Sequence, residues 1–408
     1  MVQSQPGQLF NPRRLLVLGT IRLNSIFLGF LILSSLFLNL SGCAWNEPVA
    51  VSPPSEKLVR DVLTPPELVT EAMLNAPRAD LLKLTPAMKA IVDEHIRLDT
   101  RPERRLDTLF NLLRYNSDYA VTYDSEATFT AQEVFKNRRA NCLSFSAMFI
   151  ALAREAGLNA QFQEVELPPE WDALSEDTLV QYRHVNVTVK MTRGDGVVDF
   201  RMDRYSETFP KQAITDQHAL AQYYSNISMQ HMVNDEFGPA FVAAMRAIEA
   251  DPNQSYIWSN MGIIQRRIGN IELAKVAYRQ ALTLDSRDIS AANNLAILYE
   301  ADGELERAQE MRRYSELNKL NNPYYRYALA QHAYRNGDYD EALQQIKVAM
   351  RKQSGEHRFY FLRGLSLWHI GENESAINNV KRAIRMAHDE EPVQQYEQQL
   401  QEWLASNG

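Results

Sequence analysis

The sequence predicts an α+β domain followed by an all-α superhelix of two-helix repeats, with a short leader in front. Three observations predict this. From about residue 221, small residues recur every 34 positions in four parallel series. Between about Leu98 and Phe209 a helical stripe is followed by segments that alternate polar and apolar residues. Near the amino terminus an apolar run ends on Cys43, one of only two cysteines in 408 residues.

The leader comes first. Arg13, Arg14 and Arg22 precede an apolar run from about Ile26 to Leu40. That run is short for a bilayer span but suits the core of a secretion signal, which needs roughly 7–15 apolar residues. It closes on Leu40-Ser41-Gly42-Cys43. The stretch resembles a bacterial lipoprotein signal. The resemblance implies that residues 1–42 are removed and that the Cys43 thiol carries lipid, anchoring a soluble body to a membrane. An uncleaved anchor with an incidental cysteine is the alternative. Ala44, not Asp, follows Cys43; by resemblance to enterobacterial sorting, this favours the outer membrane, facing the periplasm. The Arg13-Arg14 pair lacks the flanking residues of a twin-arginine signal. Residues 43–97 read as a proline-rich tether, with Pro48, Pro53, Pro54, Pro65 and Pro66, and then a helical segment. With Cys43 lipidated, Cys142 is the one free thiol in an oxidising compartment, which is unusual unless it is buried or used.

Composition narrows the partners. The net charge is −8 and no basic block occurs, which argues against nucleic acid. At 45% hydrophobic residues, the chain beyond the leader can fill two cores.

The middle domain is assigned to residues 98–220. Thr130-Ala131-Gln132-Glu133 is a capping box that starts a short helix. Leu143, Ala147, Ile150, Ala151 and Ala156 form a helical stripe closed by Gly157, so Cys142 stands in the first turn of that helix. Free N–H groups and the helix dipole there favour a thiolate, and the backbone N–H of Cys142 can help hold an oxyanion. Ala160 to Leu167 reads as a strand, and Arg183 to Val189 alternates as a half-buried strand does. After a turn at Arg193-Gly194-Asp195-Gly196, Val197-Val198-Asp199-Phe200 begins a return strand. His184 and Asp199 are thereby expected on paired strands, with the Cys142 helix packed on the sheet.

Cysteine at a helix start, histidine on a strand and aspartate on the next is the order seen in the transglutaminase-like (papain-like) superfamily. The stretches Asn141-Cys142-Leu143-Ser144-Phe145, Arg183-His184-Val185-Asn186-Val187 and Val198-Asp199-Phe200 resemble its motifs. The resemblance implies Cys142 as nucleophile, His184 as general base and acid, and Asp199 as the group that orients the imidazole. Ala140 stands where many members have glycine, and Val185 where many have an aromatic residue. Asp203 is a rival to Asp199. The segment Pro168-Pro169-Glu170-Trp171 is expected to border the cleft.

The third part spans residues 221–390. The small-residue series are Gly262, Ala296, Ala330 and Gly364; Ala274, Ala308, Ala342 and Ala376; Ala281, Ser315, Ala349 and Ala383; and Gly269, Gly303, Gly337 and Gly371. Ala240, Ala247 and Pro252 extend the register upstream. Small residues belong where two helices cross closely, and a unit that cannot bury its own apolar face must stack on its neighbours. Five units follow, 221–254, 255–288, 289–322, 323–356 and 357–390, with residues 391–408 holding a capping helix from Pro392 to Leu404. Period and pattern resemble the tetratricopeptide repeat, which implies a groove for a protein or peptide.

Other chemistry finds little support. His218, His231, His332, His357, His369 and His388 have no ligand spacing, so no metal is expected. Glu164 and Glu166 share a strand face without a general-acid partner. No glycine-rich phosphate loop or other cofactor motif occurs. Three functional readings stand. The first is a thiol acyl-transfer enzyme, with hydrolysis (peptidase or amidase) preferred over cross-linking transamidation because water is abundant in the periplasm. The second is a non-catalytic adaptor that binds envelope proteins through the repeats. The third is a peptidoglycan amidase, disfavoured for want of a wall-binding module.

Overall fold

A computed structural model of the chain describes residues 51–166, 183–191, 194–200, 209–387 and 390–406. The expectations for Cys43 and the leader, the 168–171 segment, Asp203 and His388 lie outside these residues.

The proline-rich stretch is extended only in part. It holds α1 (Glu56–Val62), capped by Ser55, and α2 (Glu71–Leu74) follows. Both dock on the repeats: Val62 is fully buried and its carbonyl accepts from Gln265 Nε2 at 2.7 Å. Buried Arg246 caps the end of α2, donating to the carbonyls of Ala76 at 2.6 Å and Leu74 at 3.3 Å. Proline content predicts an extended backbone, but Val62 and the carbonyl-capping arginine outweigh it through tertiary burial.

The α+β domain contains α3 (Pro86–His95), α4 (Pro102–Tyr115), β1 (Thr122–Tyr123), α5 (Ala131–Asn137), β2 (Arg139–Ala140), α6 (Cys142–Glu155), β3 (Asn159–Glu166), β4 (Arg183–Lys190), β5 (Gly196–Val198) and β6 (Lys211–Ile214). β3 to β6 form an antiparallel sheet in the order β5-β4-β3-β6, while β1 and β2 pair in parallel beside it. In α6 every residue from Leu143 to Ala153 is buried, because the helix is covered by the sheet, by α3, α4 and α5, and by the helix Asp216–Val233 that follows β6. Its end is set by Gly157 at φ +69°, a left-handed conformation that suits glycine.

The repeats pair α7 (Asp216–Val233) with α8 (Phe237–Ala250), α9 (Ser255–Arg267) with α10 (Ile271–Leu284), α11 (Ile289–Ala301) with α12 (Leu305–Asn321), α13 (Pro323–Arg335) with α14 (Tyr339–Lys352), and α15 (His357–His369) with α16 (Asn373–Met386). α17 (Glu390–Ser406) closes the array, with Trp403 stacked on Trp368 at 4.3 Å. Gly269, Gly303, Gly337 and Gly371 all have φ between +77° and +91° in the turns of the second to fifth pairs. Gly262 is needed for close approach, since a Cβ there would lie 2.5 Å from the Tyr278 ring. Among the described residues, no helix is long and apolar enough to cross a membrane.

Candidate active site

The site is built from the start of α6, the start of β4 and the end of β5. Asn141 caps α6: its Oδ1 accepts from Ser144 N at 2.9 Å, and its Nδ2 donates to Thr128 Oγ1 at 2.9 Å. Phe129 N in turn donates to Ser144 Oγ at 2.8 Å. These bonds stitch the loop before α5 to the first turn of α6, which presents Cys142 half-buried at the first helical position. Ser146 Oγ donates to the Val185 carbonyl at 3.3 Å and ties the same turn to β4 beside His184.

The structure brings Cys142, His184 and Asp199 together. His184 Nε2 lies 2.6 Å from Asp199 Oδ2, and both residues are buried. His184 also stands close enough to the Cys142 thiol for each to shift the protonation of the other. Burial opposes charge on both partners, yet the contacts reverse it. The Cys142 thiol is pushed up by burial but held below its ordinary value by the His184 hydrogen bond and charge and by a backbone bond at Val185. His184 is pushed down by burial, then raised to about 10 by its bonds to Asp199 and Cys142. Both shifts favour a thiolate beside an imidazolium.

Asp199 sits one residue beyond β5, not within the return strand expected after the turn at Gly194. What holds it is the next residue. Phe200 stacks on Phe145 of α6 with ring centroids 4.2 Å apart and an interplanar angle of 3°, under the Arg114 guanidinium. Sequence reasoning passed over two residues. Phe200 sat in an apolar strand ending with nothing to mark its stacking partner. Asn186 follows His184 by two positions, so the alternation placed it on the same face; it donates to Asp199 Oδ2 at 3.0 Å.

The remaining candidates are accounted for by local partners. Glu164 accepts from Gln212 at 3.0 Å and from Gln222 of α7 at 2.8 Å, joining the sheet to the first repeat helix. Arg154 clamps Asp216 through two bonds of 2.6 and 2.9 Å at the same junction. His218 pairs with Asp251, His231 with Glu236, and His357 with Tyr396. The far end of the array also returns to the domain. Arg358 of α15 lies 5.7 Å over the ring of Phe209, which packs on Val165, the register partner of His184.

Comparison with known proteins gives the same order of domains. A profile of the transglutaminase-like superfamily matches residues 89–231, and tetratricopeptide-repeat profiles match 255–288 and 327–390. The chain is a transglutaminase-like domain followed by tetratricopeptide repeats. The photosystem I assembly protein Ycf3 of Rippkaea orientalis is 32% identical over 132 residues, which cover 31% of this chain and 75% of that protein. Solved structures similar to part of this chain include MamA (20% identical, 41% of this chain and 91% of that chain, TM-score 0.23). Another is YrrB, described as a tetratricopeptide protein with an unusual peptide-binding site (19% identical, 44% and 92%, TM-score 0.23). The superfamily profile runs into α7, and the Glu164–Gln222 and Arg154–Asp216 links join this first repeat helix of the transglutaminase-like protein to its α+β domain. The repeat array makes the protein an interaction module for other proteins.

Proposed function

We propose that the protein is a lipid-anchored envelope thiol hydrolase whose repeats recruit a protein or peptide substrate. The observation that carries this is the buried His184–Asp199 pair set against the helix-start thiol of Cys142. The thiolate attacks a carboxamide or peptide carbonyl, and the imidazolium gives its proton to the departing amine. The backbone N–H of Cys142 is one donor to the oxyanion. Neutral His184 then takes a proton from water, which attacks the thioester and releases the acid and the restored thiolate. The contact of Arg358 with Phe209 supports a recruiting role, because it carries the last repeat to the segment that follows Asp199. The leader's arginines, apolar run and Cys43 support lipid anchoring, tested by loss of lipid incorporation in Cys43→Ser.

The catalytic reading is tested by the pH–rate profile of iodoacetamide alkylation in a chain carrying Cys43→Ser, where Cys142 is the only thiol. Fast alkylation with a midpoint well below about 8.5, lost in His184→Ala, is expected. Slow alkylation indifferent to His184→Ala would leave the adaptor reading.

A further inference from the structure

We propose that Asn186 is a positioning residue that holds the Asp199 carboxylate in line with His184. The proposal rests on the thiolate–imidazolium reading of the site. β4 and β5 pair Val187 with Val198, so the next step of the register sets residue 186 opposite residue 199. Directly opposed residues of an antiparallel pair share a face, and their side chains meet. His184 lies two residues from Asn186 on the same strand and therefore on that face too. The side chains follow this placement: Asn186 Nδ2 donates at 3.0 Å to the same Asp199 oxygen that meets His184 Nε2 at 2.6 Å.

The cost of the arrangement argues for a role beyond packing. An ionised carboxylate only accepts, so the amide must turn its NH2 group toward Asp199. That leaves Asn186 Oδ1 buried with no hydrogen-bond partner among the described residues, although the residue is wholly inaccessible to solvent. Gln163, its register partner on β3, likewise leaves Oε1 buried and unpaired among the described residues. A buried unsatisfied acceptor weakens a fold, and an apolar side chain of the same size would avoid it. Asp199 needs the support because it stands past the end of β5, where no strand pairing fixes its side chain. Asn186 touches neither the thiol nor the carbonyl under attack, and it acts through Asp199.

The test is the pH profile of Cys142 alkylation in the full chain carrying Cys43→Ser, with Asn186→Leu added and unfolding midpoints measured in parallel. Loss of one hydrogen bond to a charged group is expected to lower the alkylation rate on the acid limb about tenfold, with the unfolding midpoint unchanged or raised. Asn186→Gln keeps the donor on a longer arm, and its profile is expected between the two. If Asn186→Leu does not fold, Asn186→Ala is read in the same way. A profile that superposes on the parent's, while His184→Ala still abolishes fast alkylation, overturns the positioning role, whatever happens to the midpoint. A parent that alkylates slowly and ignores His184→Ala overturns the thiolate reading itself, and this inference with it.

Discussion

Replacing Asp199 by Asn removes one charge and almost no volume. In the folded protein that carboxylate accepts from His184 at 2.6 Å and from Asn186 at 3.0 Å, fully shielded from water. A hydrogen bond between charged partners is worth about 1.5–3 kcal/mol, and 1.36 kcal/mol is a factor of ten in a protonation equilibrium. Asp199→Asn is therefore expected to cut the imidazolium population at a given alkaline pH roughly ten- to a hundredfold. An amide can also turn its NH2 group toward Nε2 and favour the wrong tautomer. Because the thiolate depends on the imidazolium, its titration midpoint should climb toward the free-cysteine value of about 8.5. The assay is the ultraviolet absorbance of the thiolate as a function of pH in a chain whose only thiol is Cys142, with unfolding free energies measured at matched pH. His184 is raised to about 10, so it adds stability that is complete below its ordinary value of 6.5 and is lost as pH rises through about 10. Cys142 is lowered, so its contribution is present above its ordinary value and is lost as pH falls through the depressed one. Asp199→Asn should flatten both limbs. An unchanged thiolate midpoint would refute the reasoning.

Three further predictions concern the frame around the site. Gly262→Ala forces a Cβ to within 2.5 Å of the fully buried Tyr278 ring and should cost about 1–3 kcal/mol in chemical denaturation; Tyr278→Leu should recover part of that loss. Asp235 holds φ 57° at the point of the first repeat where the others carry glycine, so Asp235→Gly should stabilise the fold by about 0.5–1 kcal/mol, and a lower unfolding midpoint would count against that account. Arg246→Gln uncaps the carbonyls of α2, so limited proteolysis should cut sooner between residues 64 and 80, while a cleavage pattern like the parent's would show that the arm is held elsewhere.

Much of the fold is legible in residue order because its determinants are local. The capping box at Thr130 starts α5, with Thr130 N donating to Glu133 at 2.8 Å, and Gly157 stops α6. The alternation from Arg183 to Val189 is β4, and the 34-residue series places both the turns and the close crossings of the repeats. These signals are short-range periodicities and cap chemistries, which survive in a linear string. The same local signals set Cys142 and His184 on their elements, while the grouping of Cys142, His184 and Asp199 into a site comes from the resemblance of their order to the transglutaminase-like superfamily.

What joins those elements is not local. That Asp199 meets His184 across a strand end depends on the register of β4 with β5 and on Phe200 stacking over Phe145. That α1 and α2 fold against the repeats depends on Val62 and on Arg246, far away in the chain. The last repeat touching Phe209 depends on the accumulated twist of five helix pairs, which no single unit encodes. The sequence by itself determined the domain order, the repeat period and the residue types of the candidate site, because helix and strand periods and turn residues act within a few positions. Only the tertiary structure decided in which direction Cys142 and His184 shift, because burial and opposed charges set it, and both come into being when distant segments pack.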